Sequence, residues 1–175
     1  MSNKPLVYIQ RTEWCPAEYY MTQSNWGLLN SFADVRDKGD YPEDQTHEQM
    51  VENLTGVDGI LVYNGAHVEE ITCQAIQEAG STVKIAAVGH WWAQCEPMVV
   101  EIEKAGGKVI DASDPCNQAV AEWALGAIIA GLRKFDVYDR LIKTGTDWPG
   151  WRGVAGQLNG ATVGLVAIGR VGRWL

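Results

Sequence analysis

Several things are scarce in this chain of 175 residues. Basic residues come first: 14 Lys and Arg stand against 22 Asp and Glu, a net charge of −8. That balance argues against nonspecific binding to nucleic acid or to anionic membrane surfaces, which need clustered cations. Arg133, Lys134, Arg140 and Lys143 read only as the solvated side of one helix. Cysteine is limited to positions 15, 73, 95 and 116, with no CxxC pair. His67, Cys73, His90 and Cys95 make no zinc spacing, so no metal site is expected. The opening MSNKPLVYIQ holds a short strand rather than the apolar core of a signal peptide. Reduced thiols and a cytoplasmic location are therefore expected. The longest apolar stretch, around 119–132, contains Glu122 and is too short to span a bilayer. There is no internal repeat and no low-complexity segment. Phe is nearly absent, at two against eight Trp, a bias that assigns no function.

What is present is an alternation of strand and helix signals. Leu6–Gln10, Gly59–Tyr63, Val83–Val88 and Lys108–Ile110 read as strands. Residues 16–32 fit a helix ambiguously, and the charged 34–45 reads as loop. Thr46 with Gln49 forms a capping-box pattern for a helix to Leu54. Val68–Ala79 reads as one helix closed by Gly80, and Pro97 opens another to Ala105 before the Gly106–Gly107 pair. Strands spaced by single helices predict βαβ units, a parallel sheet and a doubly wound α/β sandwich. Asp114-Pro115 then opens a longer helix that runs to about Lys143, a bridge to a second domain. Residues 144–160 form a turn-rich connector.

Residues 162–175, TVGLVAIGRVGRWL, read as a strand entering a glycine turn. In a phosphate-binding turn the first glycine permits the bend, the second lets backbone approach a pyrophosphate, and the third lets helix pack on strand. The helix N-terminus then offers free N–H groups to the phosphates. Here Ala167 holds the first position, Gly169 the second and Gly172 the third, with Arg170 and Val171 as backbone donors.

Three segments in this order resemble the D-isomer-specific 2-hydroxyacid dehydrogenases. QAVAEWALGAIIAGLRK (118–134) resembles the family's interdomain helix, WRGVAGQLNGATVGLV (151–166) its lead-in, and AIGRVG (167–172) its GLGRIG turn. The resemblance implies an α/β fold: a flavodoxin-like substrate domain over 1–112, an interdomain helix over 113–143, a connector over 144–160, and from 161 to 175 the first strand-turn-helix of an incomplete Rossmann NAD-binding domain. It implies an NAD(P)-dependent oxidoreductase acting on the CH–OH group of a D-2-hydroxy acid, with NAD or NADP as cofactor and a homodimer in the full-length relative. Cofactor contacts fall on Ala167, Gly169, Arg170, Val171 and Gly172.

The family binds the substrate carboxylate with two loops that follow strands, which here places Asn64, Gly65, Gly89 and His90 in that role. The second loop departs from the family's glycine-rich pattern, with Trp92, Gln94, Glu96 and Pro97 at the corresponding positions, and Cys116 stands where many relatives have asparagine. The family's catalytic histidine, carboxylate and arginine lie beyond the glycine turn, so no catalytic residue is assigned. This chain is expected to be an inactive fragment. The alternatives are a non-catalytic NAD-sensing relative or a remnant flavodoxin-like domain. Energetics agree: the side chains of Val163–Ile168 belong in a sheet interior, and leaving four or five exposed forgoes roughly 6–15 kcal/mol.

Overall fold

A computed structural model describes residues 4–11, 16–19, 21–37, 39, 45–63, 68–89, 95–145 and 155–175. The chain divides into two compact units, Met1–Ser113 and Asp114–Leu175.

The first unit is built on five parallel strands: β1 (Leu6–Gln10), β2 (Asp34–Asp37), β3 (Gly59–Val62), β4 (Ile85–Val88) and β5 (Lys108–Asp111). Their order is β2-β1-β3-β4-β5, so the chain steps outward from β1 to β2 and then returns across β1 to β3. Four helices make the crossovers: α1 (Gln23–Phe32), α2 (His47–Leu54), α3 (Cys73–Glu78) and α4 (Glu96–Lys104). The apolar runs of β1 and β3 fit burial on both faces. Tyr8, Ile60, Val62, Ala86 and Val88 turn toward Met50, Leu54, Ile76, Met98 and Ile102 from α2, α3 and α4. Ile9 and Tyr63 turn the other way, toward Leu29 of α1. Each such large side chain contributes about 1.5–3 kcal/mol when fully buried.

Local chemistry sets the helix ends. Thr46 and Gln49 form the reciprocal capping box that the sequence predicts, at 3.3 and 2.8 Å. After α4, Gly106 adopts φ +89 and Gly107 donates its N–H to the Ile102 carbonyl at 2.9 Å, a Schellman closure.

Three expectations need correction. Residues 34–37 are not loop but the edge strand β2, paired with β1 from Leu6↔Asp34 to Ile9↔Asp37. Only tertiary partners reveal this. Arg11 holds Asp37 by two hydrogen bonds of 3.0 and 3.1 Å, and Arg36 donates to the Asn53 and Thr55 carbonyls at the end of α2. The helix expected over 68–79 is split into a 3-10 turn, Val68–Glu70, and α3, because the Thr72 hydroxyl caps α3 by accepting the Ala75 N–H at 3.1 Å. The long helix is likewise two, α5 (Asp114–Arg133) and α6 (Phe135–Lys143), broken where Lys134 takes φ 53, ψ 41.

In the second unit the terminal run makes no ladder among the described residues. A parallel strand needs a neighbour, and the described residues of this unit supply none. Val163 and Leu165 instead line an apolar hollow of about 180 Å³ with Leu125 and Ile128 of α5. Val166 remains fully exposed.

Candidate functional site

Parallel α/β sheets present their ligand sites beyond the carboxyl ends of the strands, where the strand order reverses. Here the reversal lies between β1 and β3. The backbone there is tied by the N–H of Tyr63 to the Gln10 carbonyl at 3.1 Å, and by the N–H of Gly89 to the Val62 carbonyl at 2.9 Å. Of the substrate-binding residues read from the sequence, Gly89 is described, half-buried at the end of β4. Its N–H already serves β3. Asn64, Gly65 and His90 lie outside the described residues, as do His67, Trp92 and Gln94. Glu96 and Pro97 form the first turn of α4.

The sequence reading missed a polar cluster at this reversal point. Gln10, fully buried, closes β1. Its amide oxygen accepts from the Tyr8 hydroxyl at 2.7 Å, and its amide nitrogen donates to the Glu70 carboxylate at 3.1 Å. Glu70 also accepts the Gln45 backbone N–H at 2.7 Å and its side-chain amide at 2.9 Å. Asn53 of α2 donates to the Gln45 amide oxygen. Buried amides without partners would be costly, and each of these has partners. The one available signal was a glutamine ending the apolar strand LVYIQ.

The glycine turn lies in the second unit. Ala167 adopts φ 67, the left-handed conformation that favours glycine. A Cβ at Gly172 would stand 3.3 Å from the Ala167 carbonyl oxygen, so this position favours glycine for close approach. A Cβ at Gly169 would meet nothing within 4 Å. Arg170 pairs with Asp114 at 3.5 Å, both exposed. Val171 begins a single 3-10 turn that ends at Arg173.

The described residues hold no group of three or more His, Cys, Asp or Glu placed to bind a metal. Among the described residues, Cys73, Cys95 and Cys116 form no disulfide with one another. No described helix is long and apolar enough to cross a membrane. The displaced pKa values fall on α2, α3 and α4 of the first unit. The Glu48 carboxyl is lowered chiefly by its own backbone N–H, Glu78 by Gln74 and then His47, and Glu101 by Lys104 and the Cys73 N–H. Lys104 is raised by its bond to Glu101.

No family model matches the sequence. Curated proteins do. A glyoxylate reductase of Thermofilum pendens is 24% identical over 174 residues, covering 97% of this chain and 47% of the relative. A D-3-phosphoglycerate dehydrogenase of Methanocaldococcus jannaschii is 26% identical over 129 residues, 73% of this chain and 23% of the relative. Among solved structures, an NADPH-dependent glyoxylate/hydroxypyruvate reductase of Sinorhizobium meliloti superposes with a TM-score of 0.64 at 19% identity, over 98% of this chain and 49% of that one. The chain is thus similar to a glyoxylate reductase and a D-3-phosphoglycerate dehydrogenase, shares the fold of the solved reductase, and spans about half the length or less of these relatives.

Proposed function

We propose that this chain carries the substrate-binding part of an NAD(P)-dependent oxidoreductase acting on the CH–OH group of a D-2-hydroxy acid, and that by itself it is inactive. The observation that carries this reading is the continuity of the likeness: it runs across 97% of the chain, through the parallel sheet and the glycine turn together. In this reading residues 1–112 form the substrate domain, 113–143 the interdomain segment, 144–160 the connector, and 161–175 the start of the nucleotide domain. The longer protein is a cytoplasmic homodimer.

A dinucleotide, when bound, supplies the hydride acceptor. The turn fits its pyrophosphate at Gly169, where the backbone is open, and at Gly172, where a side chain would crowd the Ala167 carbonyl. Ala167 shapes the bend, and the backbone N–H groups of Arg170 and Val171 would donate to the phosphates. The 2-oxo or 2-hydroxy acid lies at the carboxyl ends of β3 and β4, its carboxylate on main-chain groups of Asn64, Gly65, Gly89 and His90. Because the Gly89 N–H serves the ladder, donation there falls to the residues after it.

The test is an amide NMR titration of the chain with glyoxylate, with acetate as control. Shifts confined to residues 62–70 and 88–95, and larger with glyoxylate, are expected. Shifts scattered over the surface, or equal for the two acids, would overturn the substrate assignment.

A further inference from the structure

The two faces of the sheet in the first unit are covered unequally. With the order β2-β1-β3-β4-β5, right-handed crossovers put α1 on one face and α2, α3 and α4 on the other. A helix is about 10 Å across and strands lie about 4.8 Å apart, so one helix covers roughly two strands. On its face α1 packs over β1 and β2 through Leu29 and Ala33. Beside it Val7, Phe32, Gly59, Leu61, Ile85 and Ala87 line an apolar hollow of about 190 Å³. Ile110 of β5, in register with Ala87, carries the strip on to the next strand. Ile85 and Ile110 are 45% and 48% exposed, in a parallel sheet that calls for cover on both faces.

Charge gives the direction of what would cover it. Crossover helices run antiparallel to their strands, so α1 ends near the amino end of β1, where Lys4 donates to the Asn30 carbonyl in the last turn at 2.6 Å. Lys108 stands in the corresponding place at the amino end of β5, exposed and in one row with Ile85, Gly59 and Val7. A cation there suits the carbonyl end of a second helix laid beside α1. The glyoxylate reductase and the solved reductase are about twice this chain's length. We propose that the strip over β3, β4 and β5 receives an amphipathic helix from the remainder of the longer enzyme, running antiparallel to the strands with its C-terminus at Lys108. Strands of four residues span about 13 Å, which about nine helical residues match. Its apolar side chains fall at i, i+3, i+4 and i+7. This rests on the reading of the chain as part of a longer enzyme, given above, and is independent of the substrate assignment.

The probe is an acetylated helical peptide of about fourteen residues, with leucine at i, i+3, i+4, i+7 and i+11 and glutamine elsewhere. It is made with a free carboxylate or an amidated C-terminus and titrated into the whole chain, read by methyl NMR. Shifts are expected at Val7, Leu61, Ile85, Ala87 and Ile110. The free carboxylate is expected to bind about two- to fivefold tighter than the amide, a preference lost in Lys108→Met. Ile85→Glu and Ile110→Glu are expected to weaken the peptide at least about fivefold with the sheet resonances in place. Should either glutamate variant lose its sheet, Lys108→Met and the two peptides decide the question alone. In the longer enzyme, a benzophenone amino acid in place of Ile110 is expected to crosslink within one chain. Shifts elsewhere on the surface, equal binding of the two peptides, or a folded Ile85→Glu chain that binds as the parent does overturn the inference and leave the substrate reading intact. Parent dimers that Ile85→Glu dissociates in sedimentation, or a crosslink between chains, assign the strip to a second copy and also overturn it. A chain that meets these expectations but ignores glyoxylate overturns the substrate reading alone.

Discussion

Gly107 lies against the backbone of Val83 with no room for a methyl group. A Cβ there would stand 2.6 Å from the Val83 carbonyl oxygen and 2.7 Å from Cγ2 of Ile102. Neither obstacle yields easily: one is main chain leading into β4, the other a fully buried side chain of α4. Gly107→Ala is therefore expected to destabilise the first unit by about 3 kcal/mol, the upper range of overpacking costs. Urea unfolding of the two chains measures it. A loss below about 0.5 kcal/mol, the level of an indifferent surface change, would show that the contact relaxes freely.

Lys134 breaks the long helix in a conformation that L-residues avoid, at φ 53 and ψ 41. Left-handed backbone costs a non-glycine residue about 1–2 kcal/mol. Glycine removes that cost and returns part of the gain through the freedom of the unfolded chain. Lys134→Gly is expected to stabilise the chain by about 0.5–1 kcal/mol. A fall in the denaturation midpoint would mean that the lysine side chain, not the backbone, holds the break.

How far the sequence reveals this molecule depends on the range of the forces involved. β1, β3 and β4 were legible as apolar runs, β5 because it follows the Gly106–Gly107 helix stop, and the start of α2 because Thr46 and Gln49 satisfy each other within one turn. β2 was not legible: Val35 is its one apolar residue, and its place depends on Arg11 and on α2, both distant in sequence. The break at Lys134 left little mark, since Leu132, Arg133 and Lys134 all favour helix and no Pro or Gly stands at the break itself. The glycine turn was readable as a motif, but its preceding apolar run makes no ladder among the described residues, and strand formation depends on partners that local sequence does not specify. The Gln10–Glu70 cluster was invisible because its members lie 60 positions apart and none is unusual alone.

The contact between His47 and Glu78 joins α2 to α3, at 2.7 Å between Nε2 and the carboxylate. The Glu78 carboxyl is held below the ordinary carboxylate value, first by the Gln74 amide and then by His47. A lowered folded pKa means that the group's contribution is present above the unfolded value and is lost as pH falls through the folded one. Both side chains are substantially exposed, so the effect on global stability is small and is screened by salt. The readable quantity is the titration itself. Carboxyl-carbon NMR should place Glu78 below the ordinary glutamate midpoint, with Gln74→Ala raising it most and His47→Ala raising it less. An unchanged midpoint in both variants would show that the two contacts are not populated in solution.

The glycine turn supplies a last prediction, on nucleotide affinity. Gly169 leaves its backbone open, yet among the described residues the segments on either side of the turn are irregular or short. The run before it makes no ladder, and the helix after it is three residues long, too short to sum an N-terminal dipole. The Asp114 carboxylate lies 3.5 Å from the Arg170 guanidinium and would repel a phosphate arriving there. NADH is therefore expected to bind this chain no more tightly than about 1 mM, near −4 kcal/mol. Asp114→Asn should tighten it slightly, and more so at low ionic strength, because the repulsion acts in water and is screened. Micromolar binding by the unaltered chain, read by NADH fluorescence, would show that the turn recruits a complete nucleotide pocket from residues outside it.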